Sequence, residues 1–218
     1  MITCHIASIG ERKESLRLVL NAVSPQVERV YVSLNNYDSV PTWLYQYGNV
    51  WHEMLNNSLG DASKFLKVNA QAGICLFLDD DLIVPNGYAR DMVKGLKRYG
   101  GAVSLHGKIY NRPIVHFKKG FANYRCLNTV DHDVTGIEVL GTGCMIFDNQ
   151  EVKISLEDFK FRNMADILFS KVLYERGIPM TVLKHRYGYL RYIPQKTTIW
   201  MQAKDCTQHT LLLQSYLK

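Results

Sequence analysis

Asp79, Asp80 and Asp81 set three carboxylates in a row at the end of an apolar run, in the stretch CLFLDDDLIVP (residues 75–85). Like charges this close disfavour one another's ionisation unless something positive sits among them. On an extended segment Asp79 and Asp81 project to the same side. Two such oxygens suit a hard divalent cation, Mn2+ or Mg2+, that also takes oxygens from a bound phosphate. The alternative is a solvated strand end, where acids are common.

These acids need a scaffold. The opening ITCHIASI is a short apolar run followed by Gly10 and ERKESLRLVLNAV, whose Leu16, Val19, Leu20 and Val23 mark a helical face; the pattern predicts strand, loop and helix. VERVYVSLNN predicts a second buried strand ending in Asn35, Asn36 and Asp38, and NVWHEML a third. SLGDASKFLKVNAQAG offers Ser58 or Asp61 as an N-cap and predicts a helix ending at Gly73. ICLFLDDD predicts the fourth strand, GYARDMVKGLKRYG an amphipathic helix, and AVSLHGKIY a fifth strand. Residues 111–138 are polar, aromatic and turn-rich, and read as an excursion over the sheet edge. IEVLGTGCMIF, MADILFSKVLYERG and PMTVLKH then predict strand, helix and strand, before a C-terminal segment with one helix near its end. Apolar runs alternating with helices predict an α/β fold of one domain, with a mainly parallel central sheet and helices on both faces. Ligands bind beyond the carboxyl ends of such strands, which is where the acids lie.

At 218 residues and 47% hydrophobic, the chain can bury one substantial core. Its net charge of +6 favours an anionic partner. The basic residues are dispersed in groups such as FKKG (117–120) and KHRYGYLR (184–191), with no tract that reads as a nucleic-acid arm; one phosphate site on a solvated surface fits better. No run reaches the roughly 18 apolar residues of a membrane span, and MITCHIASIG has neither a basic leader nor a small-residue cleavage site. Five scattered cysteines (Cys4, Cys75, Cys126, Cys144, Cys206) indicate neither a disulfide framework nor a zinc knuckle. The expectation is a cytoplasmic location. His5 and His106 fall within predicted strands and read as structural, and Asp131, His132 and Asp133 read as a turn.

The order of elements, with LGDASKFLKVNAQAGICLFLDDDLIVP, resembles the nucleotide-sugar-dependent glycosyltransferases of the GT-A fold, in particular family 2, over roughly residues 1–190. That resemblance implies a nucleoside diphosphate sugar donor, a glycan or glycoprotein acceptor and a metal. Ala7, Ser8, Ile9 and Arg12 would meet the nucleobase and phosphates, and Asn36 or Asp38 would border the base. Asp61, Lys64, Asp79 and Asp80 would meet the nucleotide, with Asp79 and Asp81 on the metal. Lys64 stands where Arg is usual and Asn35–Asn36 where an acidic residue is usual. Gly141 and Gly143 of GTGCMIF would line the sugar pocket, or mark a β-bulge. Asp166 stands where inverting members carry a general base, although it could equally complement the positive end of its helix. His185, after PMTVLK, is the candidate third metal ligand, with His209 its competitor. Residues 191–218 would pack on the site or close over it. The chain is also similar to a small viral transferase domain that glycosylates a capsid protein, which would place it in the host cytoplasm.

Rival readings are weaker. A sugar-phosphate nucleotidyltransferase shares this layer order but needs a Gly-rich loop after the first strand, where ASIGERKES has one glycine. The Gly-x-Gly-x-x-Gly and Gly-Lys-Ser/Thr signatures are absent. A binding module that has lost turnover is the non-enzymatic alternative.

Overall fold

The computed structural model describes residues 1–218. Ile74–Leu78, apolar throughout, forms the strand β4. It can only be satisfied by burial on both faces, and its side chains divide accordingly. Cys75 and Phe77 enter one core while Leu76 and Leu78 enter the other.

Around it lie β1 (Ile2–Ile9), α1 (Lys13–Val23), β2 (Arg29–Asn35), β3 (Val50–Leu55), β5 (Leu82–Ile83), α2 (Tyr88–Tyr99), β6 (Ala102–Ser104), β7 (Gly107–Tyr110) and β8 (Phe121–Tyr124). There follow β9 (Val134–Thr135), β10 (Val139–Leu140), β11 (Cys144–Asp148), α3 (Ala165–Glu175), β12 (Met180–Val182), β13 (Arg191–Tyr192), α4 (Ile199–Gln202) and α5 (Thr207–Tyr216). The main sheet has eight strands in the order β3-β2-β1-β4-β11-β6-β12-β9. β1 to β4, β6 and β12 share one direction, and β11 and β9 oppose it. The expected mainly parallel sheet with helices on both faces is present. β10-β7-β8 form a separate antiparallel sheet, and β13 pairs with β5.

α1 buries Leu16, Val19, Leu20 and Val23 on the face shared with α2, as their spacing requires. α2 places Asp91 in its first turn and Lys97 and Arg98 in its last, matching the helix dipole. On the opposite face α3 and α5 cover a stack of rings. Phe77 lies 4.5 Å from Phe65, 4.9 Å from His5 and 5.3 Å from Phe147 between ring centroids. No helix is long and apolar enough to cross a membrane.

Three expected elements differ. The helix expected to end at Gly73 is instead a 3-10 turn, Gly60–Phe65, in which Gly60 (φ 57°) opens the turn and Ala62, Ser63, Lys64 and Phe65 are buried in succession. Four consecutive buried residues leave no exposed helical face. The Ser63 carbonyl accepts from the Ser33 hydroxyl and its hydroxyl oxygen accepts from the Asn35 amide, side-chain bonds that compete with helix formation. The run AVSLHGKIY divides between β6 and β7 at a corner where the Ser104 hydroxyl bonds the carbonyls of Gly141 and Cys144. IEVLGTGCMIF likewise breaks at Gly141–Gly143 into β10 and β11.

Because Phe77 is fully buried at the meeting point of these rings, Phe77→Ala is expected to cost about 3–5 kcal/mol. Urea denaturation measures it. A loss below about 1 kcal/mol would mean that the ring stack does not anchor the second core.

Candidate active site

β1 and β4 run side by side and parallel, with His5 opposite Phe77, so the chain leaving β1 emerges next to the chain leaving β4. Asp79, Asp80 and Asp81 do not continue the strand. They turn, with the Leu82 N–H donating to the Asp79 carbonyl at 3.3 Å, so strand alternation is not what orients their side chains. Two cations do. Arg12, in the turn after β1, donates to Asp80 Oδ1 (2.9 Å) and Asp81 Oδ2 (3.2 Å). Lys64, buried, donates to Asp79 Oδ1 at 2.7 Å. The second guanidinium nitrogen of Arg12 reaches the Thr197 carbonyl (2.8 Å), and the Ile193 N–H bonds the Asp81 carbonyl (2.8 Å). The C-terminal segment is thereby tied to the acids.

Negative charge still exceeds positive. Burial, then Asp79 and Asp80, push the Asp81 carboxyl up to about 7 against the pull of Arg12 and Lys64. Burial raises Asp80 as well. Desolvation opposes the charge of Asp79 too, but Lys64, with help from Arg12 and His106, holds that carboxyl below its usual range. Asp61 is raised to about 7 by burial. Its Oδ2 accepts the Ala165 N–H at the start of α3 (3.2 Å), while Oδ1 is buried without a partner.

The broken strand GTG closes the other side. Thr142 donates its backbone N–H (2.8 Å) and its hydroxyl (2.6 Å) to Asp166 Oδ1, leaving Oδ2 with no protein partner. Next to it Gly143 gives its carbonyl to the Asp79 N–H (2.9 Å). A Cβ on Gly143 would lie 2.0 Å from Asp79 Oδ2, so any larger residue would push the Asp79 carboxylate from its place. A Cβ on Gly141 would meet the His106 side chain at 2.8 Å. His106 is held neutral, with burial lowering its pKa to about 4. One three-residue loop thus links the acid turn to Asp166.

A cleft of about 720 Å³ borders the Gly10–Arg12 turn at Gly10 and Glu11 and is lined by Ile9, Asn36, Tyr37, Asp38 and Trp43 among others. Asn36 takes a positive φ of 51° where the chain turns after β2. Ser8 is buried and hydrogen-bonded to the Tyr37 hydroxyl (2.8 Å). Ala7 is half-buried within β1 beside Ser33 and does not line the cleft. Tyr37, Trp43 and Thr142 were not singled out from the sequence, and His106 was read there only as structural; Trp43 lies in the aromatic run PTWLYQYG and Thr142 between the glycines of GTG.

His185 does not join the acids, a correction to the sequence expectation. β12, which precedes it, is three strand positions from β4, roughly 14 Å at ordinary strand spacing. Its Nδ1 lies 2.7 Å from the Leu183 carbonyl and its Nε2 3.2 Å from the Arg125 carbonyl. His209 is stacked on Phe117 with Nδ1 buried. No three His, Cys, Asp or Glu residues converge in a metal-binding group. Asp79 and Asp81 alone could hold a divalent cation. The under-compensated charge at Asp81 suits one, its other oxygens coming from a phosphate or water.

No protein-family model and no curated protein matches the sequence. The structure is similar to that of S. aureus TarS 1-349 at a TM-score of 0.54 and 14% identity, over 85% of this chain and 58% of that one. It is similar to the same protein in complex with UDP-GlcNAc at 0.54 and 15%, over 93% of this chain and 61% of that one. The chain therefore spans about three fifths of those TarS structures. A 4-diphosphocytidyl-2C-methyl-D-erythritol synthase from Anaerococcus prevotii matches at 0.57 and 14%, over 100% of this chain and 98% of that one. The chain has a single-domain, GT-A-like α/β fold, one that it shares with both of these proteins.

Proposed function

We propose that the protein is a glycosyltransferase that moves a sugar from a nucleoside diphosphate sugar, UDP-linked, to a hydroxyl of a glycan or protein-linked acceptor, with Mn2+ or Mg2+ at Asp79 and Asp81. The observation that carries this reading is the GTG loop, which sets Asp166 beside the acid turn through Thr142 and Gly143. The viral capsid acceptor and host-cytoplasm location implied by the sequence resemblance belong to the same proposal; five free cysteines are compatible with that compartment.

The cleft at Ile9, Asn36 and Asp38 would take the nucleobase, leaving the diphosphate to run past Arg12 toward Lys64. Bound there, the cation supplies Lewis-acid stabilisation of the departing diphosphate. Arg12 and Lys64 add positive charge to the same oxygens. Asp166, its Oδ1 pinned by Thr142, would receive the acceptor's hydroxyl proton on Oδ2 as that oxygen attacks the anomeric carbon. Asp61 fixes the start of α3 through the Ala165 N–H, and so the position of Asp166.

The full-length match to a cytidylyltransferase-type synthase keeps nucleotidyl transfer as the second reading. A phosphate nucleophile is already ionised at neutral pH and needs no base, whereas a hydroxyl does. An aspartate oriented with one free oxygen favours the hydroxyl.

Asp166→Asn preserves the Thr142 bonds and removes the base. Transfer should fall about 10²- to 10⁴-fold in kcat, with donor affinity nearly constant; full activity would make Asp166 a helix-end residue.

Asp61 gives a pH test. Its folded pKa of about 7 lies above the ordinary carboxylate value of 3.8, so the native state holds a proton that the unfolded chain has released. Its contribution to stability therefore falls as pH rises from about 4 to about 7. Asp61→Asn should make the slope of unfolding free energy against pH more positive across that window, by denaturant titration. A slope unchanged from that of the parent protein would place Asp61 in contact with water.

A further inference from the structure

Lys108 of β7 is a buried lysine that neither the acid turn nor the GTG loop employs. Its Nζ makes no hydrogen bond. It sits instead over three rings, 4.5 Å from the Trp200 centroid, 4.9 Å from Phe117 and 5.0 Å from Phe121. Lys118 Nζ lies 4.8 Å from the centroid of the same Trp200 ring and donates to the carbonyls of Trp200 (2.8 Å) and Ala203 (2.6 Å). His209 stacks on Phe117 at 4.7 Å. The carboxylates facing this group are Asp166, which acts on Lys108, and Asp205, which acts on His209. Neither bonds Lys108.

Ring faces attract an ammonium but leave its N–H donors unused. The Lys108 ammonium therefore keeps donors that no protein acceptor takes, and a bound anion would accept them. Two ammonium groups, those of Lys108 and Lys118, sit against one aromatic wall, with no carboxylate bonded to Lys108. β7 pairs with β10, Lys108 opposite Val139, and β10 leads directly into the GTG loop that holds Asp166, the side from which an acceptor would approach.

We infer that the pocket walled by Phe117, Phe121 and Trp200 binds an anionic substituent of the acceptor, a carboxylate or a phosphate, with Lys108 as its hydrogen-bonding cation and Trp200 stacked on the sugar ring. The word acceptor rests on the transferase reading above; the anion site itself does not. Lys108 would determine specificity, selecting acidic over neutral glycans.

The test titrates the protein, without nucleotide, with methyl β-glucuronide, methyl β-glucoside 6-phosphate and methyl β-glucoside. The expected result is that at least one charged probe binds about tenfold or more tightly than the neutral one, that it shifts the Trp200 indole N–H resonance (assigned with Trp200→Phe), and that Lys108→Met brings it to the neutral level. Which charged probe binds identifies carboxylate or phosphate as the natural group. Equal binding of all three probes, or charged-probe binding that leaves the Trp200 resonance unmoved, would overturn the inference, and neither readout requires the Lys108 variant to fold. Donor hydrolysis by the unaltered protein is scored separately. Its absence alongside anion binding would remove the transferase reading and leave the anion site, and its presence without anion binding would do the reverse.

Discussion

The pairing of Lys64 with Asp79, and of Arg12 with Asp80 and Asp81, is the constraint on which the rest of the site depends. Burial of the Lys64 ammonium is offset by its ion pair with Asp79, and a turn of three carboxylates is tolerated only with cations among them. Arg12 comes from the turn after β1 and Lys64 from the 3-10 turn before β4, so the two pairs stitch together segments far apart in the chain. They also leave the site short of positive charge, since burial and its neighbours still raise Asp81 to about 7. A site built in this way is completed by a ligand that brings its own cation.

The two cores serve that arrangement. Because β4 is apolar on both faces, its end is fixed from both sides, by α1 and α2 on one and by the Phe65, Phe77 and Phe147 stack on the other. The reversed strand β11 lies against β4, with Cys144 opposite Leu78. That register delivers Gly143 against Asp79 and Thr142 against Asp166. Had the strand after the excursion been parallel, its carboxyl end rather than its entry loop would meet the acids. The antiparallel neighbour is thus what joins the acid turn to the start of α3.

Much of this was legible in the sequence because it is local. The apolar run into three acids, the helical spacing of Leu16, Val19, Leu20 and Val23, and the glycines around Thr142 each announce themselves within a few residues. What escaped was non-local. Thr142 matters only because Asp166, 24 residues later, folds back onto it, and the ring cage of Lys108 is gathered from positions 117, 121 and 200. The helix expected to end at Gly73 gave way to a 3-10 turn in which Ser63 also accepts hydrogen bonds from Ser33 and Asn35 of β2. His185 was assigned on the premise that its strand joins the sheet of the acid-bearing strand; β12 does join it, but two strands intervene.

The central claim is that the acid turn receives a nucleoside diphosphate together with a divalent cation. Calorimetric titration of UDP into the protein, in Mn2+ and again in excess chelator, tests it most directly. The account predicts binding in Mn2+ that weakens by about tenfold or more when the cation is removed. Affinity that is unchanged in chelator, or no UDP binding under either condition, would contradict it.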